Sequence, residues 1–207
     1  MDSVRHETRL TRVLSISIVL GLTFGSVTSL PGRLSALSQK ASEALHSRRM
    51  TDGKQWTTRN LNVKTDSSYC YDDAELNCSR YGRLYTWDSA RQACESLGHG
   101  WRLPTNDEWQ QLAEQYGGLL EESPQRGRSA FKALVAGGRS GFNAVLGGGR
   151  DLDGQYARLN AHGFYWTASE SGAATAWLYN FGKGMQALNR HSDGEKQRAF
   201  SVRCVRE

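Results

Sequence analysis

The chain has 207 residues, 38% of them hydrophobic, with 26 Lys and Arg against 21 Asp and Glu for a formal net charge of +5. That length suffices for one well-buried domain. The positive excess is scattered Arg rather than a continuous Lys/Arg run, so it reads as solvated surface, excludes a basic nucleic-acid-binding tail and leaves no nucleic acid among the expected partners.

Residues 1–29 read as an export signal. Arg5, Arg9 and Arg12 precede an apolar stretch from Val13 to Val27, diluted by Ser15, Ser17, Gly21, Thr23, Gly25 and Ser26. At about 15 residues it falls short of the roughly 20 that a membrane span needs. Val27-Thr28-Ser29 supplies small residues for cleavage; an uncleaved membrane anchor and a buried cytosolic helix are the alternatives. No Cys follows the stretch for lipid attachment. Export places the protein in the periplasm, on the cell surface or outside the cell. Residues 30–51 read as a partly helical tether, since Leu34, Leu37, Ala41 and Leu45 recur at helical spacing. The folded domain is expected over 52–207, opening at the Asp52-Gly53 turn signal.

Within that domain, Gln55 to Val63 and Tyr81 to Thr86 read as strands. Two helices follow. Trp87, Ala90, Cys94 and Leu97 share one face of the first, which Gly98 stops. The second opens with Thr105-Asn106-Asp107-Glu108, a capping box, and carries Trp109, Leu112, Ala113 and Tyr116 as its apolar stripe. From Gly137 to Gly154 the chain reads as loop, with 22 Gly against 3 Pro in the whole chain favouring tight turns. Gly163–Ala168, Ala174–Phe181 and Ala199–Val205 read as three more strands.

The cysteines are Cys70, Cys78, Cys94 and Cys204, all beyond the leader. An even count in an exported chain favours two disulfides, for which three pairings exist. Cys70 and Cys78 flank a short Asp- and Asn-containing loop and close easily, which leaves Cys94 for Cys204. No C-x-x-C pair exists and the spacings match no zinc ribbon. Asp151-Leu152-Asp153-Gly154 faintly resembles a calcium loop but lacks its third carboxylate and final Glu, so no metal or cofactor is expected, a calcium site completed by distant residues being the alternative. The Gly-rich stretch lacks a phosphate loop's Gly-Lys-Ser/Thr ending. No nucleophile motif accompanies the five histidines, and the acidic pairs Asp72-Asp73 and Glu121-Glu122 lie in polar segments. Enzymatic activity is not expected.

A series of blocks carries a resemblance. They are Trp56…Asn60-Leu61-Asn62, Cys70-Tyr71…Cys78, Tyr81-Gly82-Arg83-Leu84-Tyr85-Thr86-Trp87, Gly100-Trp101-Arg102-Leu103-Pro104…Glu108-Trp109, Gly141-Phe142-Asn143-Ala144, Gly148-Gly149-Arg150-Asp151…Asp153-Gly154, Tyr165-Trp166-Thr167-Ala168-Ser169-Glu170 and Ser201-Val202-Arg203-Cys204-Val205. In this order they resemble the Fibrobacter succinogenes major paralogous domain, a bacterial exported module similar to the C-type lectin-like and formylglycine-generating-enzyme folds. The resemblance implies an α+β domain with two helices, twisted antiparallel strands, neighbouring termini and a long displayed loop region. It also implies a helix cysteine bridged to the last strand, in agreement with Cys94–Cys204. The sugar-binding motifs of calcium lectins and the late reactive cysteines of the formylglycine-generating enzyme have no counterpart here. The C-terminal segment is similar to the variable region of retroelement-diversified proteins.

The expected function is ligand recognition, the ligand being an extracellular protein or a glycan. The expected face is Trp177, Tyr179, Asn180, Gln186, Asn189, Arg190 and His191, aromatics beside short polar groups that offer large contact area at low entropic cost. Trp177, Tyr179 and Phe181 also fit the core side of one strand; Gln186, Asn189, Arg190 and His191 fall in a turn-rich stretch and are expected to be exposed. The alternatives are a structural cell-surface component, a retroelement-diversified variable protein and an enzyme on the formylglycine-generating fold.

Overall fold

The computed structural model describes Met1 and residues 46–207. The expected export signal and the helical repeat of Leu34 to Leu45 lie outside the described residues. In chain order the elements are β1 (Ser47–Arg49), β2 (Gln55–Thr57), β3 (Ser68–Tyr69), a turn over Tyr71–Asp73, α1 (Glu75–Tyr81), β4 (Leu84–Tyr85), α2 (Trp87–Glu95), α3 (Asn106–Gln115), α4 (Pro124–Leu134), β5 (Gly149–Arg150), β6 (Tyr156–Ala157), β7 (His162–Glu170), β8 (Thr175–Gly182), β9 (Ala187–Glu195) and β10 (Val205–Arg206). The domain is α+β. Its largest sheet is the antiparallel meander β7-β8-β9, and three smaller sheets join β1-β2-β10, β3-β4 and β5-β6. No described helix is long and apolar enough to cross a membrane.

The β1-β2-β10 sheet sets the first and last strands beside each other: Arg48 faces Trp56, and Val205 faces Trp56 from the other side. Asp52-Gly53 therefore turns within a hairpin, and Ser47–Arg49, read from sequence as the end of a tether, is a strand of the domain. Gln55–Val63 is a strand only as far as Thr57, and Tyr81–Thr86 only at Leu84 and Tyr85. Beyond those residues the backbone bonds to separate neighbours, Leu61 N–H to the Val202 carbonyl and Arg83 N–H to the Leu61 carbonyl, rather than to one partner strand. The expected strand over Ala199–Val205 likewise breaks into isolated pairings at Ala199, Phe200 and Ser201 before β10.

Local rules account for the helices. The α3 capping box forms in both directions: Glu108 N–H donates to Thr105 Oγ1 at 3.2 Å, and Thr105 N–H donates to Glu108 Oε2 at 2.8 Å. In α2, Trp87, Ala90, Ala93 and Cys94 are buried. Two further helices are present. In α4, Ser123 accepts from Arg126 N–H as cap, Pro124 occupies the first turn, and Gly127, Ala130, Phe131 and Leu134 face inward. Helix α1 is a short helix with no side-chain cap, burying Cys78 and Tyr81. Both disulfides join the preferred partners, Cys70 to Cys78 and Cys94 to Cys204.

Two large clusters form the core, one on each side of the meander, and a small third joins Tyr71, Leu84 and Ala199. On one side Tyr165, Tyr179, Phe181 and Leu188 meet α3 and α4 around Trp109. Its ring stacks on Tyr179 at 5.2 Å and 17° and packs edge-on against Trp56 at 5.1 Å, pairings that add about 0.5–1.5 kcal/mol each beyond burial. On the other side Trp166, Ala176 and Leu178 meet α2, Phe200 and the Cys94–Cys204 bridge.

Arg203 pins the first core to the loops around it. It is fully buried, and its fork donates to Asn60 Oδ1 at 2.9 Å, to the carbonyls of Thr57 at 2.8 Å and Phe142 at 2.7 Å, and to the Asn143 carbonyl at 2.7 Å. The Phe142 ring lies 4.6 Å from the guanidinium carbon.

Candidate ligand-binding cleft

The meander decides which of the expected recognition residues can act together. Paired residues of antiparallel strands point to the same side of a sheet, and successive residues alternate. Tyr165 faces Tyr179 and Tyr179 faces Arg190, whereas Phe164 faces Asn180, Asn180 faces Asn189 and Leu178 faces His191. The seven residues thus divide between the two faces and the hairpin tip.

Tyr179 belongs to the core. It is buried against Trp109 and its hydroxyl donates to the Asn106 carbonyl at 3.1 Å; burial pushes its pKa well above the usual phenol value. It offers nothing to a ligand. Trp177 and Arg190 share that side of the sheet and are occupied with each other, the guanidinium carbon lying 4.8 Å from the indole centroid. Arg190 also donates to Gln110 Oε1 at 3.1 Å and to Glu121 Oε1 at 2.6 Å. Gln186 is exposed in the β8–β9 turn at φ 49°. Asn189, Arg190 and His191, expected in an exposed turn, lie on strand β9 and are half-buried. The β8 hairpin partner imposes that strand on a segment whose own alternation is weak.

Asn180 and His191 converge with residues not foreseen from sequence. They line a cleft of about 280 Å³ between the meander and the β5–β6 hairpin. Phe164, Leu178 and Phe200 form its apolar floor; Arg150, Asp151 and Arg158 stand along the hairpin wall; Asp193, Gly194 and Arg198 close the third side. Its volume approaches the lower end of small-ligand sites. Gly194 is required by close approach: a Cβ there would lie 2.6 Å from Leu178 Cδ2 and 2.7 Å from the Trp166 ring. The same holds at Gly149, where a Cβ would lie 2.8 Å from the Phe200 ring.

The hairpin wall is held from several directions. Arg150 N–H donates to the Ala199 carbonyl and Ala199 N–H returns the bond, each at 2.9 Å. The Arg150 guanidinium carbon lies 4.1 Å from the Tyr69 centroid. Tyr156 donates to Asp73 Oδ1 at 2.6 Å, and burial together with that carboxylate pushes its pKa up to about 12. Arg198 Nε lies 2.9 Å from Asp151 Oδ1 and 2.9 Å from Glu195 Oε2. These are ion-pair contacts, and the Nε–H lacks hydrogen-bond alignment to either.

Other polar groups in the cleft have no protein partner. Asn180 is 7% exposed, and its Oδ1 pairs with His162 Nδ1 at 3.0 Å, which leaves its Nδ2 free. His191 Nε2 and Arg150 Nε are buried without a partner. Buried donors and acceptors normally find partners, so their concentration in one cleft marks it out.

Three of the four residues in the acidic pairs serve the structure. Glu122 accepts from Leu119 N–H and pairs with Arg126, Glu121 holds Arg190 and Asp73 holds Tyr156. In the calcium-like stretch, Asp151 accepts from Leu152 N–H and Asp153 from Gln155 N–H, so both carboxylates shape the hairpin turn. Among the described residues, the one group of three potential metal ligands is Cys70, Glu75 and Cys78, and its two sulfurs are bonded to each other.

Among curated proteins none matches the chain. The family model described as the Fibrobacter succinogenes major domain matches residues 41–206, from before β1 to the end of β10. That span includes the meander, both disulfides and the cleft, and the chain belongs to the Fibrobacter succinogenes major domain family.

Proposed function

We propose that the protein is an exported bacterial binding module, without catalysis, that recognises an extracellular protein or glycan through the cleft between the β5–β6 hairpin and the meander. The observation that carries this reading is the pairing of an apolar floor with buried, unpartnered nitrogens of His191 and Arg150, beside the Asn180 amide, on a scaffold of regular strands. Folding leaves their hydrogen-bonding capacity unused, and a ligand would complete it. Two disulfides fit an oxidising compartment, which supports a secreted, periplasmic or cell-surface location.

The test is a glycan and peptide array probed with the full chain, followed by the hits against Asn180→Ala combined with His191→Ala. Loss of binding by at least tenfold with unchanged thermal stability supports the cleft. Retention of every hit by this double variant, with loss on Gln186→Ala or Arg190→Ala, moves the site to the hairpin tip or the helix side and refutes the reading.

A further inference from the structure

We infer that the cleft takes a single sugar ring carrying an anionic group, such as a uronate or a sulfated monosaccharide unit. This rests on the cleft being the binding site and goes beyond it by stating the ligand's chemistry. Three independent features point the same way. The volume of about 280 Å³ fits one ring rather than an extended chain, and the floor of Phe164, Leu178 and Phe200 offers an apolar surface to the C–H face of such a ring.

The charges on the rim balance in number, with Arg150, Arg158 and Arg198 against Asp151, Asp193 and the neighbouring Glu195, but they are unevenly paired. Arg198 is committed to Asp151 and Glu195. Arg150, Arg158 and Asp193 line the cleft and make no ion pair, so the guanidinium donors that no carboxylate holds are those of Arg150, stacked on Tyr69, and of Arg158. Asn180 Nδ2 and Arg150 Nε add unpartnered donors. Such a donor excess suits an acceptor-rich anion, which guanidinium binds through paired hydrogen bonds. The lone Asp193 carboxylate suits a ring hydroxyl and disfavours a simple small anion.

The third feature is conformational. Arg158 sits at φ 67°, in the left-handed region that glycine occupies without strain. Its carbonyl accepts from Ala161 N–H at 3.0 Å and His162 N–H at 2.9 Å, which holds it in that tight turn. Its side chain is exposed, lines the cleft and makes no hydrogen bond, ion pair or ring contact with the domain. Nothing in the fold calls for an arginine there, whereas an anion in the cleft does. Strain of this kind collects where a side chain is needed for recognition.

The experiment uses the full chain and calorimetric titration with glucuronate, glucose 6-sulfate, glucose and acetate. Glucuronate or glucose 6-sulfate should bind at least tenfold more tightly than glucose and than acetate, and which of the two binds tells carboxylate from sulfate. Arg158→Gly should weaken that binding about 10- to 100-fold while raising the melting temperature by about 2–4 °C as the strain is relieved. A purely structural arginine would give the second change without the first. Glucose binding as well as the acidic sugars overturns the anionic requirement, and acetate binding as well as they do overturns the ring. Absence of binding by all four, or an unchanged affinity in Arg158→Gly, overturns the inference. If array ligands are lost on mutation of Asn180 and His191 but carry no acidic sugar, the inference fails while the binding-site reading stands.

Discussion

Replacing Arg203 by Met removes a buried cation and strands the oxygens it serves. The guanidinium makes four hydrogen bonds, all to neutral oxygens of Thr57, Asn60, Phe142 and Asn143. Burial pushes its pKa below the ordinary guanidinium value. Each bond to a charged donor contributes about 1.5–3 kcal/mol, or roughly 6–12 kcal/mol for four, against a burial cost of several kcal/mol for the ion. The net stabilisation is then a few kcal/mol. Met fills similar volume but leaves the acceptors unpaired, so a loss of about 3–5 kcal/mol is expected, or about 6–20 °C in melting temperature. Arg203→Lys separates charge from geometry: it keeps the cation but not the planar fork, and should lose at least about 2 kcal/mol. Urea denaturation followed by far-UV circular dichroism checks both variants, with the slope unchanged if the native fold persists. Both variants unfolding within about 1 kcal/mol of the parent would refute the argument that this fork joins the 57–60 segment to the 142–143 loop.

The two disulfides should differ in worth. By the chain-entropy relation, the bridge of sequence separation 110 between Cys94 and Cys204 contributes about 4–5 kcal/mol and that of separation 8 between Cys70 and Cys78 about 2–3 kcal/mol. Comparing Cys94→Ala/Cys204→Ala with Cys70→Ala/Cys78→Ala by denaturant unfolding tests that order. Glu108 responds to acid. Burial raises its pKa, but hydrogen bonds from Arg102, Thr105 N–H and Lys54 and the charge of Arg102 outweigh it and hold the carboxyl at about 2, against an ordinary value of 4.5. Because its folded value is depressed, its contribution is present above pH about 4.5 and is lost as pH falls toward 2. Glu108→Gln should lower stability at pH 7 and flatten the acid limb of a stability-against-pH curve measured over that window. Gly194→Ala should cost about 1–3 kcal/mol by overpacking and weaken ligand binding, since the added methyl lies against Leu178 and Trp166 beneath the cleft; thermal unfolding and array binding measure the two effects.

What was legible in the sequence had local causes. The α3 capping box, the buried stripe of α2 and the two disulfide pairings follow from residues near in sequence or from simple counting, and all are present. Helix α4 has local signals of the same kind, Ser123 and Pro124 as a start and Ala130, Phe131 and Leu134 as an apolar face, but it stands between polar and Gly-rich stretches that mask them. Helix α1 gave little signal, being short and uncapped with Leu76 exposed.

By itself the sequence determined the family, the α+β class and the positions that build the scaffold, because capping, helical spacing and cysteine count act over short range. It also marked the segment from Trp177 to His191 as the place to look for recognition. Only the tertiary structure decided which of those residues share a surface. The register of β8 against its two neighbours sends Tyr179 into the core, holds Trp177 and Arg190 to the helix side, and sets Asn180 and His191 opposite a hairpin roughly 30 residues earlier in the chain. Strand parity divides residues that are adjacent in sequence, and folding joins ones that are far apart. Arg150 and Arg158 therefore line the same cleft as Asn180 and His191 only because the hairpin stands beside the sheet.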